Sequence, residues 1–341
     1  MLEQIRDLYL LKTWKNDTSL LNRKEDPAIL SGATNVFVPR DEAASHPCLD
    51  SQAAAVSNSE NREFTLATWN AENLVTSGRR ANDWEKIKEK AEVLKEVNAD
   101  VVALQEIGDL QTLDQFRTRL LGEQTYPYRI LIQGNDHGIN VGLLSKFPIK
   151  RAYTYRDRVF PGVDGQPMKF TRDLLEAVVQ VTPQFPVKIF VCHLKSKRGG
   201  EYSDLRRESE AREVKRIISQ QLEKEPESLI AVAGDFNDFP DSPAVKTVER
   251  GPNSVIDPLS VEKREYQPTH HSSKFGNTRL DYLLLSPELM KRYQTGSAEV
   301  REKENHGASD HDPLELHFRA YPTQKFVNQP FSSSSSKVIN P

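Results

Sequence analysis

Apolar residues recur along this chain in short runs of strand length, separated by polar segments and by turn residues. Such runs, rich in Val, Ile, Leu and aromatic residues, predict β-strands. The predicted strands lie at 64–69, 101–104, 128–132, 139–144, 174–181, 187–192, 229–232, 282–285 and 314–318. Many strands in one continuous segment indicate a fold built on a large sheet system.

Two segments between these strands have apolar residues at helical spacing instead. The first follows a capping sequence at 82–85 and is predicted to end near Asn98. The second carries Val214, Ile217, Ile218 and Leu222. The connection at 182–186 is too short for a crossover helix, so some neighbouring strands must pair antiparallel. The pattern therefore predicts an α/β fold of two packed mixed β-sheets covered by helices on the outside.

Both ends of the chain differ from this central pattern. Residues 1–62 are predicted to form an N-terminal extension and linker, with a short amphipathic helix near the start. Residues 63–320 are predicted to form the folded domain. Residues 321–341 contain a run of serines and are predicted to be a disordered tail.

The composition places the chain among globular proteins, with 37% hydrophobic and 28% charged residues in 341. No window approaches about 18 consecutive apolar residues, so a membrane span is not expected. Acidic residues stand where a secretory signal would be basic, so we expect no signal peptide and a cytoplasmic location. Cys48 and Cys192 make no disulfide framework, and a reducing compartment is expected. The net charge of −3 does not indicate a nucleic-acid binder, although a local basic rim can steer a polyanion.

Chemically capable side chains follow several predicted strands. Asp235 and Asn237 come after the strand at 229–232, and Gly234 allows close approach of the backbone. Alternate residues on a strand exit point the same way, so both side chains can face one cavity. Taken alone, the segment also fits an Asx turn that closes a loop.

A second cluster lies before the last strand, where Asp310 and His311 stand side by side. Asp281 opens the apolar strand at 282–285, where a carboxylate is costly unless it has a partner. A histidine that acts as a base or donor needs its second ring nitrogen held by a carboxylate. An Asp281–His311 pair would satisfy both requirements, although Asp310 and His311 alone also fit a helix cap or surface turn.

Asn70, Glu106 and His193 also end strands. A hard divalent cation prefers carboxylate and amide oxygens, although a lone Glu is more often simply exposed. His193 leads into a loop with two glycines and three cations, and such a loop can gather phosphate oxygens or be an ordinary basic surface loop. The three cations are Lys195, Lys197 and Arg198. Cation ligands, neutral donors and a base together are what phosphoester hydrolysis requires.

In this order, the clusters resemble the endonuclease/exonuclease/phosphatase superfamily, the deoxyribonuclease I-like metal-dependent phosphohydrolases. The ordered set is Trp69-Asn70, Gln105-Glu106, His193, Gly234-Asp235-Phe236-Asn237, Arg279-Leu280-Asp281-Tyr282 and Ser309-Asp310-His311. The resemblance covers about 63–320 and marks this segment as the catalytic domain. It implies a four-layer α/β sandwich with the site at one edge of the paired sheets.

The resemblance also implies roles for individual residues. Glu106 is similar to the main ligand of Mg²⁺ or Mn²⁺, with Asn70 beside it and Asp310 in support. His311, oriented by Asp281, is similar to the base, and Asp235 to a second candidate for activating water. The donors to the phosphoryl oxygens would be Asn237 and His193. The expected substrate-binding residues are Arg172, which matches a family arginine less closely, and Lys195, Lys197 and Arg198.

These observations predict a divalent-metal-dependent phosphodiesterase, and more specifically a nuclease with nucleic acid as its substrate. The alternative within the same chemistry is a phosphatase or phosphodiesterase acting on a small phosphoester or a lipid headgroup. A non-catalytic binding module is the remote alternative, disfavoured because every ligand position holds a competent residue. The choice between DNA and RNA and between endo and exo action stays open, and a monomer is the default expectation.

Overall fold

Residues 62–320 are described by the structure, a computed structural model, with gaps at positions 77, 79, 137 and 275. The predicted N-terminal helix and linker and the predicted C-terminal tail lie outside the described residues. The division into 1–62, 63–320 and 321–341 therefore stays a prediction. Within the described residues, no helix combines the length and the apolar character that crossing a membrane would require.

The described chain alternates strands with a small number of helices. Strands β1 to β15 span, in order, Arg62–Leu74, Val101–Ile107, Tyr128–Ile132, Asn140–Ser145, Ile149–Thr154, Phe160–Pro161, Pro167–Met168, Leu175–Thr182, Phe185–His193, Ile230–Asp235, His270–Ser272, Gly276–Thr278, Asp281–Leu285, Glu299–Val300 and Leu314–Ala320. Helices α1 to α7 span Trp84–Val97, Leu110–Gln115, Gly200–Lys224, Pro243–Glu249, Pro258–Val261, Pro287–Met290 and Glu302–Asn305. Helix α2 continues as a π-helix over Phe116–Gly122, and Val163–Gly165 forms a 3₁₀ turn.

Two large mixed sheets form the centre of the molecule. The first sheet has the strand order β14-β15-β1-β2-β4-β3, and the second has the order β13-β10-β9-β8-β5. Their facing sides share one apolar core, to which Phe64 and Val101 contribute from the first sheet and Ile189 and Leu283 from the second. Both sheets are thus buried against each other, as expected for a sandwich.

Helices cover the outer face of each sheet. Helix α1 and the α2 region pack on the first sheet through residues such as Leu94 and Phe116. Helices α3 and α4 pack on the second sheet through residues such as Ile218 and Val245. The predicted four-layer α/β sandwich of two mixed sheets flanked by helices is confirmed.

The bounds of α1 agree with the capping pattern of the sequence. The Asp83 side chain accepts a hydrogen bond from the Lys86 backbone N–H at 2.9 Å, which satisfies one of the free N–H groups of the first turn. At the other end, Asn98 takes the left-handed conformation and its N–H donates to the Leu94 carbonyl.

Each predicted strand overlaps an observed one. Several observed strands extend further at their carboxyl ends than the apolar run indicated. Strands β2, β9 and β10 continue through Ile107, His193 and Asp235, so the polar residues at their ends belong to the sheets. Helix α3 begins at Gly200, well before its apolar stripe, because its first half buries polar side chains such as Arg207 and Glu210. Strand β5, at the edge of its sheet, and helix α2 were not predicted from the sequence.

Strand direction brings the polar strand ends to one edge. Strands β1 and β2 are parallel, with Asn70 paired to Gln105. Strands β9 and β10 are also parallel, with Asp235 paired to His193, while β13 runs antiparallel and starts opposite Asp235 at Asp281. The carboxyl ends of four strands and the start of a fifth therefore meet where the two sheets pack together.

A buried ion pair holds the segment before β13. Arg279 Nη1 and Nη2 donate to the two carboxylate oxygens of Asp257 at 2.7 and 2.8 Å, and the guanidinium lies 4.4 Å from the centre of the Tyr282 ring. Both charged side chains are almost completely buried. Each charge therefore depends on the other for its stability.

Replacing Arg279 with Leu should lower the free energy of unfolding by about 3–5 kcal/mol, because Asp257 would stay buried without its cation. Urea denaturation measures this loss. Arg319→Leu is the control, since Arg319 lies 3.5 Å from Glu63 with both side chains exposed, and it should cost less than about 1 kcal/mol. Equal losses in the two variants would contradict this account of the buried pair.

Candidate active site

The strand ends at this edge are unusual in their backbone conformation. Glu72, Asn73, Glu106 and Asn237 have φ angles of 41°, 57°, 63° and 52°, in the left-handed region that side-chain-bearing residues rarely adopt. Such conformations are costly, and in proteins they concentrate where function requires a side chain to be aimed. Their grouping here marks this edge as the candidate site.

Asp235 lies at the centre of the site and is 1% exposed. Its Oδ2 accepts hydrogen bonds from Asn70 Nδ2 and Asn237 Nδ2, both at 3.1 Å, and its Oδ1 accepts from the Asn237 backbone N–H at 2.7 Å. His193 Nε2 lies 3.4 Å from the same Oδ2. Because Asn70 belongs to the first sheet and Asp235 to the second, this carboxylate joins the two sheets at the site.

Gly234 makes the approach of β9 to β10 possible. Its φ is 144°, and a Cβ placed on it would lie 2.0 Å from the Cys192 carbonyl oxygen. Only glycine fits this position. The close approach brings His193 and Asp235 next to each other at the strand ends.

The structure brings Asp281 and His311 together, as the pairing hypothesis requires. His311 Nδ1 lies 2.7 Å from Asp281 Oδ2, and both side chains are buried. Thr269 Oγ1 donates to the same Oδ2 at 2.7 Å and accepts from the Leu280 and Asp281 backbone N–H groups at 3.1 Å. These contacts fix the imidazole with its Nε2 toward Asp235, 3.9 Å away.

The charges around His311 favour its protonated form. Burial alone would lower its pKa, but the carboxylates of Asp281, Asp235 and Asp310 raise the pKa to about 10. Burial also raises the pKa of Asp235, to about 7, against the attraction of His311. These opposing shifts favour the protonated imidazole of His311 and bring the pKa of Asp235 into the neutral range.

His193 has the opposite character. Burial lowers its pKa well below the usual value, and the positive charges of Arg172 and His311 act in the same direction. Among the described residues, its Nδ1 has no hydrogen-bond partner although it is buried. A neutral imidazole with one uncommitted nitrogen is suited to contact a ligand that enters the site.

Carboxylates converge on the other side of the site. Glu106 Oε2 accepts from the Asn73 backbone N–H at 3.1 Å, and Glu72 Oε2 accepts from the Asp310 backbone N–H at 3.2 Å. Burial raises the pKa of Asp310, and the negative charges of Glu72 and Glu106 raise it further against the attraction of His311. Like charges gathered in this way repel one another unless a cation lies among them.

The donor set fits a hard divalent cation. Glu106 and Asp310 offer carboxylate oxygens, and Asn70 offers its Oδ1, which accepts from the Glu72 backbone N–H at 3.0 Å. Oxygen donors of this kind suit Mg²⁺ or Mn²⁺ better than thiolate-preferring metals. The three residues predicted as metal ligands are thus compatible with that role.

The Leu194 carbonyl connects Arg172 to the site. Arg172 is buried, and its Nη1 donates to Leu194 O at 3.0 Å, while its Nε lies 3.3 Å from Asp136 Oδ2. Asn237 Nδ2 donates to the same carbonyl at 3.1 Å. Asn237 Nδ2 therefore already donates to two protein acceptors, Leu194 O and Asp235 Oδ2, so donation to a substrate would replace one of these bonds.

The three loop cations do not have equivalent surroundings. Lys197 Nζ lies 2.7 Å from Asp238 Oδ1 and 4.7 Å from the centre of the Phe239 ring. Lys195 is half-buried, and Arg198 is exposed. The sequence predicts one role for all three cations, whereas in the structure Lys197 is engaged by the Asp238 carboxylate, which it shares with Arg207.

Sequence reasoning missed Glu72, Thr269 and His270. Glu72 follows Asn70 on the same strand, so the signal used for the other strand ends, a carboxylate after an apolar run, could have found it. Thr269 and His270 gave no signal, because folding alone brings them to the site. The Asp312 backbone N–H donates to the Thr269 carbonyl at 2.8 Å, and this bond joins the segment of Thr269 and His270 to the segment of His311.

Comparisons with known proteins agree with this architecture. The model of the Endonuclease/Exonuclease/phosphatase family matches residues 67–311. An endonuclease/exonuclease/phosphatase from Beutenbergia cavernae superposes with a TM-score of 0.57 at 17% identity, covering 76% of this chain and 72% of that one. The human Nocturnin catalytic domain with bound sulfate superposes with a TM-score of 0.55 at 17% identity, covering 75% of this chain and 94% of that one. TDP2 from Caenorhabditis elegans superposes with a TM-score of 0.54 at 18% identity, covering 75% of this chain and 74% of that one. These likenesses show a shared fold, and comparison with curated proteins gives no match.

The Asp281–His311 contact predicts a non-additive double-mutant cycle. His311→Ala should slow cation-dependent phosphoester hydrolysis by at least about 10², and Asp281→Ala should cost a similar factor because the imidazole loses its support. The double variant should be little slower than either single one. Steady-state kinetics of the four proteins measures the coupling.

The control pair for this cycle is Glu96 and His306, an exposed contact of 3.0 Å that involves none of the site residues. Their alanine variants should leave turnover unchanged. Strictly additive losses at Asp281 and His311 would show that the two residues do not act as a unit.

Proposed function

Because the chain belongs to the endonuclease/exonuclease/phosphatase family, whose members are phosphoester hydrolases, we propose that it is a divalent-metal-dependent phosphodiesterase, and specifically a nuclease. One observation carries the proposal. The imidazole of His311 lies between two carboxylates, with its Nε2 3.9 Å from the buried Asp235 and 4.0 Å from Asp310, which in turn is close enough to Glu72 and Glu106 for their charges to raise its pKa. Such an arrangement would supply a base, an acid and a cation site around one phosphoryl group.

Glu106, Asn70 and Asp310 would hold the cation, Mg²⁺ or Mn²⁺. When bound, the cation would supply Lewis-acid polarisation of a phosphoryl oxygen. Enzymes of this family generally use divalent metals. The proposal of magnesium in particular rests on the hard oxygen donors of these three residues.

The protein residues divide the proton transfers. Asp235, whose pKa is near 7, would accept the proton of the attacking water. His311, held as a cation by Asp281, would donate to the phosphoryl group as negative charge builds up on it. His193, through its uncommitted nitrogen, and Asn237 would complete the set of donors.

Substrate positioning would come from Arg172 and from the loop after His193. Arg172 is fixed between Leu194 O and Asp136, so it offers a rigid positive charge beside the site. Lys195 and the exposed Arg198 stand on the loop that follows His193 in sequence. Positive charges flanking the site would favour a substrate with several phosphates, which supports the nuclease hypothesis.

The experiment for this proposal is a substrate panel. Supercoiled DNA, single-stranded DNA, RNA and p-nitrophenyl mono- and diesters are each incubated with Mg²⁺, Mn²⁺ or EDTA. We expect hydrolysis of a polynucleotide with either metal and none with EDTA. Good turnover of a monoester with none of a polynucleotide would replace the nuclease proposal by a phosphatase, and no turnover at all would favour a binding module.

Glu106→Gln should lower the rate of metal-dependent hydrolysis by a factor of at least about 10², because the neutral amide is a much weaker ligand for a hard cation. Glu85→Gln, an exposed change in the first turn of α1, is the matched control and should have no effect. Activity that persists unchanged in excess EDTA, or in Glu106→Gln, would exclude this metal site.

The loop cations should determine how binding depends on salt. Replacing Lys195, Lys197 and Arg198 with Gln should raise KM for a polynucleotide and flatten its salt slope by roughly one unit per lost phosphate contact. Restoring Lys197 alone should recover little, because that side chain is engaged by Asp238. Measuring KM for the polynucleotide at several salt concentrations gives this slope.

Bis-p-nitrophenyl phosphate is the internal control, since it has no flanking phosphates to lose. Its hydrolysis should barely change in the loop variant. Replacing Lys88 and Lys95 on α1 with Gln removes two exposed charges outside the loop and should leave the polynucleotide slope unchanged. Equal losses on both substrates would place the loop beside the reacting phosphate and favour a small substrate.

A further inference from the structure

We propose that His270, His311 and Asp310 form a second cation site, one that takes a borderline transition ion such as Zn²⁺ and thereby blocks the reaction. The site differs from the oxygen-rich set around Glu106 because two of its three ligands are imidazoles. Its effect on turnover rests on the proposed function, whereas its occupancy can be measured without any substrate.

The three side chains converge on one point. One ligand atom from each lies within 4.8 Å of the others. His270 Nε2 is 3.8 Å from Asp310 Oδ2, His311 Nε2 is 4.0 Å from Asp310 Oδ1, and the two imidazole rings are 4.7 Å apart between centres. Two histidines and a carboxylate with an open fourth position are a common ligand set for zinc.

Both imidazoles are held in the orientation that a ligand needs. His270 Nδ1 lies 3.1 Å from Thr278 Oγ1, and His311 Nδ1 lies 2.7 Å from Asp281 Oδ2. Metal-binding histidines are usually fixed in this way through their second nitrogen. On each ring this leaves Nε2 as the atom that faces Asp310.

The backbone also holds the two histidines in register. His270 and His311 form an antiparallel β-bridge, and the His271 N–H donates to the Asp310 carbonyl at 2.8 Å. The first two ligands therefore stand on a fixed frame. The third, Asp310, has 47% of its side chain exposed, so its carboxylate is less constrained than the two buried or half-buried rings.

Only a small closure would be required. Ligand atoms at about 2.0–2.1 Å from a tetrahedral zinc ion lie about 3.3–3.5 Å from one another. The Asp310 distances of 3.8 and 4.0 Å are within several tenths of an ångström of this range. Rotation of the exposed Asp310 carboxylate would shorten its own two distances, and a small shift of the imidazole rings would bring their nitrogens, which lie within 4.8 Å of each other, to the same range.

Occupancy would stop the reaction for two reasons. A divalent ion on His311 Nε2 replaces the proton that His311 would otherwise donate to the phosphoryl group. The same ion takes Asp310 away from the oxygen-rich set, which Asp310 shares with Glu106. Borderline ions favour imidazole, whereas Mg²⁺ favours oxygen, so the identity of the ion would decide which site is filled.

Binding is tested first with Co²⁺, whose visible absorption reports nitrogen ligands, and then by competition with Zn²⁺ in the full chain without substrate. We expect His270→Gln to weaken binding of both ions by at least about 10-fold. His271→Gln is the matched control, because this neighbouring histidine contacts Asp312 at 2.5 Å instead, and it should bind like the wild type. Glu106→Gln should also retain Zn²⁺.

Inhibition is tested second, with Zn²⁺ added at constant excess Mg²⁺. The wild type and His271→Gln should be inhibited at concentrations at least about 10-fold lower than His270→Gln. Equal Zn²⁺ affinity of the wild type and His270→Gln, or no Zn²⁺ binding by either, would overturn the site. Absence of turnover with every substrate would instead refute the proposed function, while the binding result would still decide whether this site exists.

Discussion

The burial of one carboxylate, that of Asp235, is the constraint on which the arrangement of the site depends. A carboxylate removed from water is costly unless donors surround it. Its donors come from both sheets, with Asn70 on β1 and Asn237 just after β10. The two sheets must therefore pack with their strand ends aligned here, so the packing of the sandwich and the chemistry of the site impose the same register.

A buried acid on α3 extends this constraint to the loops. Glu210 accepts from the Thr171 backbone N–H and hydroxyl at 2.8 and 2.6 Å through one oxygen, and from the Lys195 N–H at 2.8 Å through the other. These contacts flank Arg172 in one loop and follow His193 in the other. Polar burial on α3 thus fixes the segments next to Arg172 and His193, which belong to two separate strand connections.

Much of this could be predicted from the sequence, because apolar runs locate strands and a polar residue after such a run locates a strand end. The Asp281–His311 contact also had a physical signal, since a carboxylate at the start of an apolar strand requires a partner. Thr269, His270 and the Lys197–Asp238 pair had none, because they meet only when distant segments fold together. The first half of α3 was missed because its buried face is polar rather than apolar.

The central claim, that Asp235 activates the attacking water, is tested most directly by the single-turnover hydrolysis rate of Asp235→Asn with saturating Mg²⁺. The neutral amide presents an N–H group to the Asn70 and Asn237 donors, so the variant should lose some stability, and the rate is measured well below its melting temperature. The account predicts a rate at least about 10² lower, with substrate still bound. A folded Asp235→Asn protein that hydrolyses substrate within a few-fold of the wild-type rate would contradict it.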